Sequence, residues 1–262
     1  MFDVSGKIGL ITGGTQGIGA AIAKEFLQAG LRGIAILART ERKGLQVVKD
    51  LNEEFGDGKA IFIQTDVADK KQFDDAFKRT IEVFKNIDIV VNNAVARLGE
   101  NWEKCMAVNL IGTITGTLLA FENYIPKYRT GQEGVIINIS SVSGLYGNSA
   151  APDYAASKAG IIQLSRSIGN DILYNRAKVK VIAICPGYTD TPLLLVTEEN
   201  FLGAPYFKAY QDRVKGLSPQ APTAVSKAVV DLIKKGRNGS VWIVTDNLPP
   251  YEVRLEINKV IM

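Results

Sequence analysis

Apolar residues along this chain fall into short unbroken runs separated by longer stretches in which they recur every three or four positions. The runs Ile8–Thr12, Gly33–Leu37, Ala60–Gln64, Ile87–Val91, Val135–Ile139, Val179–Ile184 and Val241–Val244 are rich in β-branched residues and do not alternate with polar ones. Strands of that kind are expected where both faces of a sheet are covered. The intervening segments predict helices over Gln16–Ala29, Glu41–Phe55, Lys70–Lys85, Asn101–Tyr128, Tyr154–Tyr174 and Thr223–Lys235, with Gly112 and Gly116 weakening the middle of the longest. Alternating strands and helices imply an α/β fold: a doubly wound, Rossmann-like parallel sheet of about seven strands with helices on both faces. No linker, repeat or low-complexity stretch divides the 262 residues, so positions 1–262 are expected to form a single domain. The rhythm breaks only at 191–222, an insertion rich in Leu, Phe and Tyr.

Composition narrows the chemistry. The net charge of +4 is spread without basic runs, which argues against nucleic acid as a partner. No uninterrupted 18-residue apolar run argues for a membrane span, and residues 1–7 lack a signal pattern, so a cytoplasmic enzyme is expected. The two cysteines, Cys105 and Cys185, lie in apolar stretches and are expected to be core thiols. With no histidine in the chain, histidine-based triads are excluded, and an acid or base must come from Tyr, Lys, Asp, Glu or Cys.

A glycine turn, Thr12-Gly13-Gly14-Thr15-Gln16-Gly17-Ile18-Gly19, joins the first strand to the first helix. Gly13 and Gly17 let backbone approach a pyrophosphate, Gly19 lets helix pack on strand, and the helix N-terminus offers free N–H groups to phosphate. At the end of the second strand, Ala38 takes the place where an acid would bind a ribose 2′-OH. Arg39 and Thr40 follow it, with Arg42 and Lys43 nearby, an arrangement suited to the 2′-phosphate of NADP(H). The alternatives are a solvated Arg39 and NAD(H). Asp66-Val67 ends the third strand, where Asp66 either accepts from the adenine amino group or caps the next helix. Asn92-Asn93-Ala94 closes the fourth, tying strands together or lining the adenosine pocket.

Tyr154 and Lys158 are four residues apart on a predicted helix and share a face. A neighbouring ammonium is expected to lower the phenol pKa and bring Tyr154 into range as a proton donor and acceptor. Ser140 and Ser141 follow the apolar fifth strand, and only one of them can face a cleft. Asn109 is an amide in an apolar helix, either a structural filler or part of a proton relay.

With these motifs in place the chain resembles the short-chain dehydrogenase/reductase superfamily from Thr12 to about Pro192. Within it, residues 62–69 and 101–104 are similar to the 15-hydroxyprostaglandin dehydrogenase and insect alcohol dehydrogenase-like branches. The resemblance implies Asn109, Ser141, Tyr154 and Lys158 as the catalytic set, because the family serine lies thirteen positions before the tyrosine, as Ser141 does. It implies Tyr154 as acid/base, Lys158 as holder of the nicotinamide ribose, Ser141 as orienter of the substrate oxygen and Asn109 as positioner of a water. It implies that Pro186, Gly187, Thr189 and Thr191 bind the nicotinamide carboxamide, and that the chain forms a homodimer or homotetramer through the two long helices. Two positions depart from the pattern: Val95 replaces the usual glycine after Asn-Asn-Ala, and Ala38 replaces the acid of the NAD-linked branches. Residues 191–222, with Leu193, are expected to form a lid over a small lipophilic ketone or secondary alcohol of steroid, prostanoid or terpenoid type, with Val95, Leu145 and Tyr146 adding to the pocket.

Overall fold

The computed structural model describes residues 2–96 and 101–254. Strands β1 (Ile8–Thr12), β2 (Gly33–Ala38), β3 (Ala60–Gln64), β4 (Ile89–Asn92), β5 (Gly134–Ile139), β6 (Val179–Pro186), β7 (Val241–Val244) and β8 (Tyr251–Glu252) form one sheet in the order β3-β2-β1-β4-β5-β6-β7-β8. The first seven pair in parallel, and β8 runs antiparallel against β7 at the edge. The expected seven strands are therefore present, with a two-residue strand added. A single-domain α/β architecture with a mostly parallel sheet follows.

Helices α1 (Gly17–Gln28), α2 (Glu41–Phe55) and α9 (Pro222–Lys235) cover one face. Strand residues Ile11, Ile36, Val91, Ile137 and Ile184 pack there against Ile22, Phe26, Val229 and Leu232. Leu10, Leu37, Val90 and Ile136, each next to one of these in its strand, and Val181 of β6 point to the other face, onto Phe73, Phe77 and Phe121 of α3 (Lys70–Phe84) and α4 (Trp102–Tyr128). Side chains that alternate between two buried faces explain why the strands read as unbroken apolar runs.

α4 continues through both of its glycines. A Cβ on Gly116 would collide with the Asn92 Oδ1, and one on Gly112 would lie 2.9 Å from Val67 Cγ2, so the glycines bring the helix close to the sheet. Two stretches of it, Met106–Ile111 and Leu119–Tyr124, widen to π geometry. α4 is also long and apolar enough to cross a membrane, but here it packs Phe121 and Ile125 into the core. The helix expected over 154–174 is two helices. α6 (Pro152–Ile168) follows the single turn α5 (Ser143–Tyr146), and α7 (Asp171–Ala177) begins after Gly169 packs on the Gly239 backbone and Asn170 caps the Leu173 N–H.

Within 191–222 lie two short turns, Pro192–Leu194 and Glu198–Asn200, and helix α8 (Ala204–Val214). Phe201 is buried against the rings of Phe207 and Tyr210, with centroids 5.3 and 5.2 Å away. A bridge between Thr189 and Gln220 closes the base of the insertion.

Candidate active site

A cavity of about 900 Å³ opens along the carboxyl ends of the parallel strands. It spans the point between β1 and β4 where the strand order reverses, the usual ligand crevice of such sheets.

The glycine turn forms its floor. Gly13 holds a φ of +66°, a left-handed conformation that favours glycine, and its Cα hydrogens face Ala94 so closely that a Cβ would lie 2.9 Å from the Ala94 Cα. Asn93 clamps this turn, donating to the carbonyls of Thr12 at 2.9 Å and Gly13 at 3.2 Å, while the Thr12 hydroxyl accepts from the Asn93 and Ala94 N–H groups. Thr15, Gln16, Gly17 and Ile18 line the cavity where α1 begins, so that helix offers its N-terminus to whatever lies there. Gly19 does not line the cavity; it packs on Gly13 and Asn93. The fit to a dinucleotide is good: a glycine cradle with no room for a Cβ, aimed by a helix N-terminus at a cavity large enough for cofactor and substrate together.

At one end of the cavity, Ala38, Arg39, Thr40 and Lys43 lie beside Asp66 and Val67. The Lys43 ammonium donates to Gln16 Oε1 at 3.0 Å, and Gln64 holds the Arg39 carbonyl at 3.0 Å, which leaves the exposed Arg39 guanidinium at the rim. Asp66 does not cap α3. Asp69 does so, accepting from the N–H groups of Lys71 and Gln72, whereas Asp66 accepts from the Ala68 N–H and faces the cavity.

At the centre are Ser141, Tyr154 and Lys158. Both serines touch the cavity wall, but the Ser140 hydroxyl turns into the protein and donates to the Lys158 carbonyl at 2.7 Å. The Ser141 Oγ instead accepts from the Ser143 N–H at 3.1 Å and sits close enough to the Tyr154 hydroxyl to ease its ionisation. The Lys158 ammonium donates to the Ile139 carbonyl at 3.0 Å and lies 5.6 Å from the centre of the Tyr154 ring. Burial pushes the Tyr154 phenol up to about 12, partly offset by the Ser141 hydrogen bond, and pushes Lys158 down to about 8. This corrects the expected lowering of the tyrosine pKa. Desolvation dominates the tyrosine, and the ammonium over its ring is itself pushed toward neutrality by burial. The phenol is therefore held protonated.

Asn109 lies outside the cavity, fully buried in the first widened stretch of α4. Its Oδ1 accepts from the Ala96 N–H at 2.8 Å, and its Nδ2 donates to Ser157 Oγ at 3.3 Å and Cys105 Sγ at 3.2 Å. Its carbonyl accepts from the Thr113 hydroxyl at 2.7 Å. It thus ties the segment after β4 to the helix that carries Tyr154. Cys105 and Cys185 are free and buried, as expected.

Pro186, Gly187, Thr189 and Thr191 line the third part of the cavity, and Leu193 and Val95 face it with them. Val95 keeps 37% exposure, so its side chain takes cavity space instead of colliding with backbone. Leu145 and Tyr146 are not brought in. Leu145 packs toward Ile162 and Cys185, and Tyr146 stands 72% exposed outside, because α5 turns the chain away from the strand ends. Tyr188, Tyr210, Arg213, Val214, Asp246 and Asn247 also line the cavity; Tyr210 belongs to the expected lid and Tyr188 to the nicotinamide segment, while the sequence pattern gives Arg213, Val214, Asp246 and Asn247 no individual role. For Asp246 and Asn247 the signal was there: they follow β7 at a strand's carboxyl end.

The chain matches a family model described as short chain dehydrogenase over residues 7–200. It is 35% identical over 247 residues to 15-hydroxyprostaglandin dehydrogenase (NAD(+)) of Mus musculus, covering 92% of this chain and 91% of that one. It is 28% identical over 245 residues to Fat body protein 2 of Drosophila melanogaster, covering 94% of each. Among solved structures, a dehydrogenase/reductase from Sinorhizobium meliloti 1021 superimposes with a TM-score of 0.77 at 24% identity, covering 94% of this chain and 96% of the other, which supports the fold.

Proposed function

The chain belongs to the short chain dehydrogenase family, oxidoreductases that act on hydroxyl groups with a nicotinamide cofactor, and from that premise we propose that it moves a hydride between NADP(H) and a lipophilic ketone or secondary alcohol. The observation that carries the reading is the convergence of Ser141, Tyr154 and Lys158 on the cavity floored by the glycine turn.

The residues at Gly13–Ile18 would hold the pyrophosphate and those at 186–191 the nicotinamide end of a bound cofactor, which would serve as the hydride donor or acceptor. Tyr154, kept protonated by burial, donates its phenolic proton to the substrate oxygen as the carbonyl is reduced, and takes it back in the reverse direction. Ser141 donates a hydrogen bond to the same oxygen and stabilises charge as it develops there. Lys158, at a pKa of about 8, is poised to return a proton to Tyr154 and to hold the ribose. Asn109 acts as a positioning residue, fixing α6 through Ser157. The aromatic and aliphatic insertion at 191–222 acts as a lid.

The two serines separate chemistry from structure. Ser141→Ala lowers kcat/KM by about 100-fold with little change in melting temperature, as expected for loss of one oxyanion donor. Ser140→Ala leaves kcat nearly intact and costs about 1 kcal/mol of stability, through its lost buried hydrogen bond. Kinetics and thermal denaturation of both variants check this, and reversed effects would contradict it.

The preference for NADP(H) rests on Ala38 where an acid would repel a 2′-phosphate, with Arg39 and Lys43 at the same rim. NAD(H) is the second reading, favoured by the NAD(+) in the names of the mammalian relatives. Comparing kcat/KM for the two cofactors decides between them. The wild type favours NADPH, and Ala38→Asp shifts the ratio toward NADH by about tenfold or more, an effect of roughly 1.4 kcal/mol. A wild type that prefers NADH would overturn the NADP(H) reading.

A further inference from the structure

Among the described residues, four cationic side chains line the cavity: Arg39 and Lys43 at the adenosine end, Lys158 in the centre, and Arg213 on α8. The first three have duties in the reaction proposed above. Arg213 has none. It lies in the last turn of α8, where a cation is favoured by the helix dipole, yet its guanidinium reaches away from that helix to the Gly147 carbonyl at 3.3 Å. That single long contact leaves most of its five N–H donors unused. No carboxylate among the described residues pairs with it. Its neighbour Asp212 is taken by Lys208 at 2.8 Å, and Asp66 lies at the far end of the cavity beyond β3. Asp246, the other acid on the cavity wall, follows β7 and forms no ion pair among the described residues. The same cavity is lined by Val95, Leu193, Leu194, Val214 and Leu217, with Asn148, Tyr210 and Ser218 supplying polar groups among them. Among the described residues, the cavity thus combines several aliphatic side chains with an exposed planar cation, Arg213.

We propose that Arg213 is a specificity-determining residue that pairs with a carboxylate on the substrate, so that the molecule taken is an acyl-chain acid bearing a secondary alcohol or ketone. The inference rests on the reading of this cavity as a site for lipophilic alcohols and ketones, and adds an anionic end to that substrate. A guanidinium fork matches a carboxylate in two parallel hydrogen bonds. The apolar side chains take the hydrocarbon, and the carbonyl or hydroxyl reaches Tyr154 and Ser141.

The test uses a mid-chain hydroxystearic acid and its methyl ester, which differ only in the charged end. Affinity is measured by calorimetry on the NADPH-loaded protein, where the alcohol cannot be oxidised, and turnover is measured separately with NADP(+) and NAD(+). The acid binds wild type about tenfold more tightly than the ester, the size of a charge-assisted hydrogen bond. In Arg213→Gln the difference disappears while ester affinity stays unchanged, and Arg213→Lys recovers part of it. Equal binding of acid and ester by wild type overturns the inference, as does failure of both to bind. So does an Arg213→Gln variant that weakens both ligands alike, since that is the behaviour of a contact that merely fastens α8 to Gly147. Selective binding of the acid without turnover by either cofactor supports the anion site and overturns the proposed reaction.

Discussion

Replacing Tyr154 by Phe lowers turnover by about 100- to 10,000-fold, the range a positioned general acid contributes, and leaves nicotinamide affinity close to wild type. The ring volume is kept, so the packing of α6 and the position of Lys158 over the ring are preserved. What is lost is the phenolic oxygen that Ser141 engages and that burial keeps protonated. Steady-state kinetics and fluorescence titration of the reduced cofactor measure the two halves of this expectation. Turnover near the wild-type value would remove Tyr154 from the mechanism. Loss of cofactor binding along with turnover would assign it to the cofactor site instead.

Gly19→Ala lowers kcat/KM by about 100-fold, the cost of displacing a cofactor by roughly an ångström. Alanine suits a helix, so the local propensity improves. The fault lies in space: the new Cβ would collide with the Gly13 carbonyl oxygen and lie 2.5 Å from Asn93 Nδ2. Asn93 is the clamp on the glycine turn, so either the turn or the clamp must move. The loss is expected in cofactor affinity, with the protein still folded, and calorimetric titration with thermal denaturation checks both. Wild-type affinity in a stable variant would show that the turn does not set the cofactor's position.

The parallel sheet was legible because each strand is buried on both faces, which writes an unbroken apolar run into the sequence. β8 was not, since Tyr251 and Glu252 carry no pattern and pair only through their nearness to Trp242 and Ile243. The glycines of α4 suggested weakness by propensity, while their use is close packing against Asn92, Phe73 and Val67, which no local reading shows. The alternation of strand side chains left Ser140 and Ser141 open; the thirteen-residue spacing to Tyr154 pointed to Ser141, and in the fold it is the Ser140 hydroxyl that turns inward to the Lys158 carbonyl. Leu145 and Tyr146 miss the cavity, because the chain leaves strand geometry at once and enters α5. The four-residue spacing of Tyr154 and Lys158 gave proximity correctly and the direction of the tyrosine shift wrongly. Spacing carries no information on desolvation, which dominates both groups. Arg213 lay inside a segment noted for its apolar residues, and only the fold shows that α8 turns it toward the cavity.

The most direct measurement is the reduced-nicotinamide absorbance on mixing the protein with NADPH and a panel of lipophilic ketones, with NADH and small polar polyols in parallel. The account predicts consumption of NADPH with at least one lipophilic ketone, faster than with NADH at equal concentration. No hydride transfer to any lipophilic ketone from either cofactor, with turnover confined to small polyols, would contradict it.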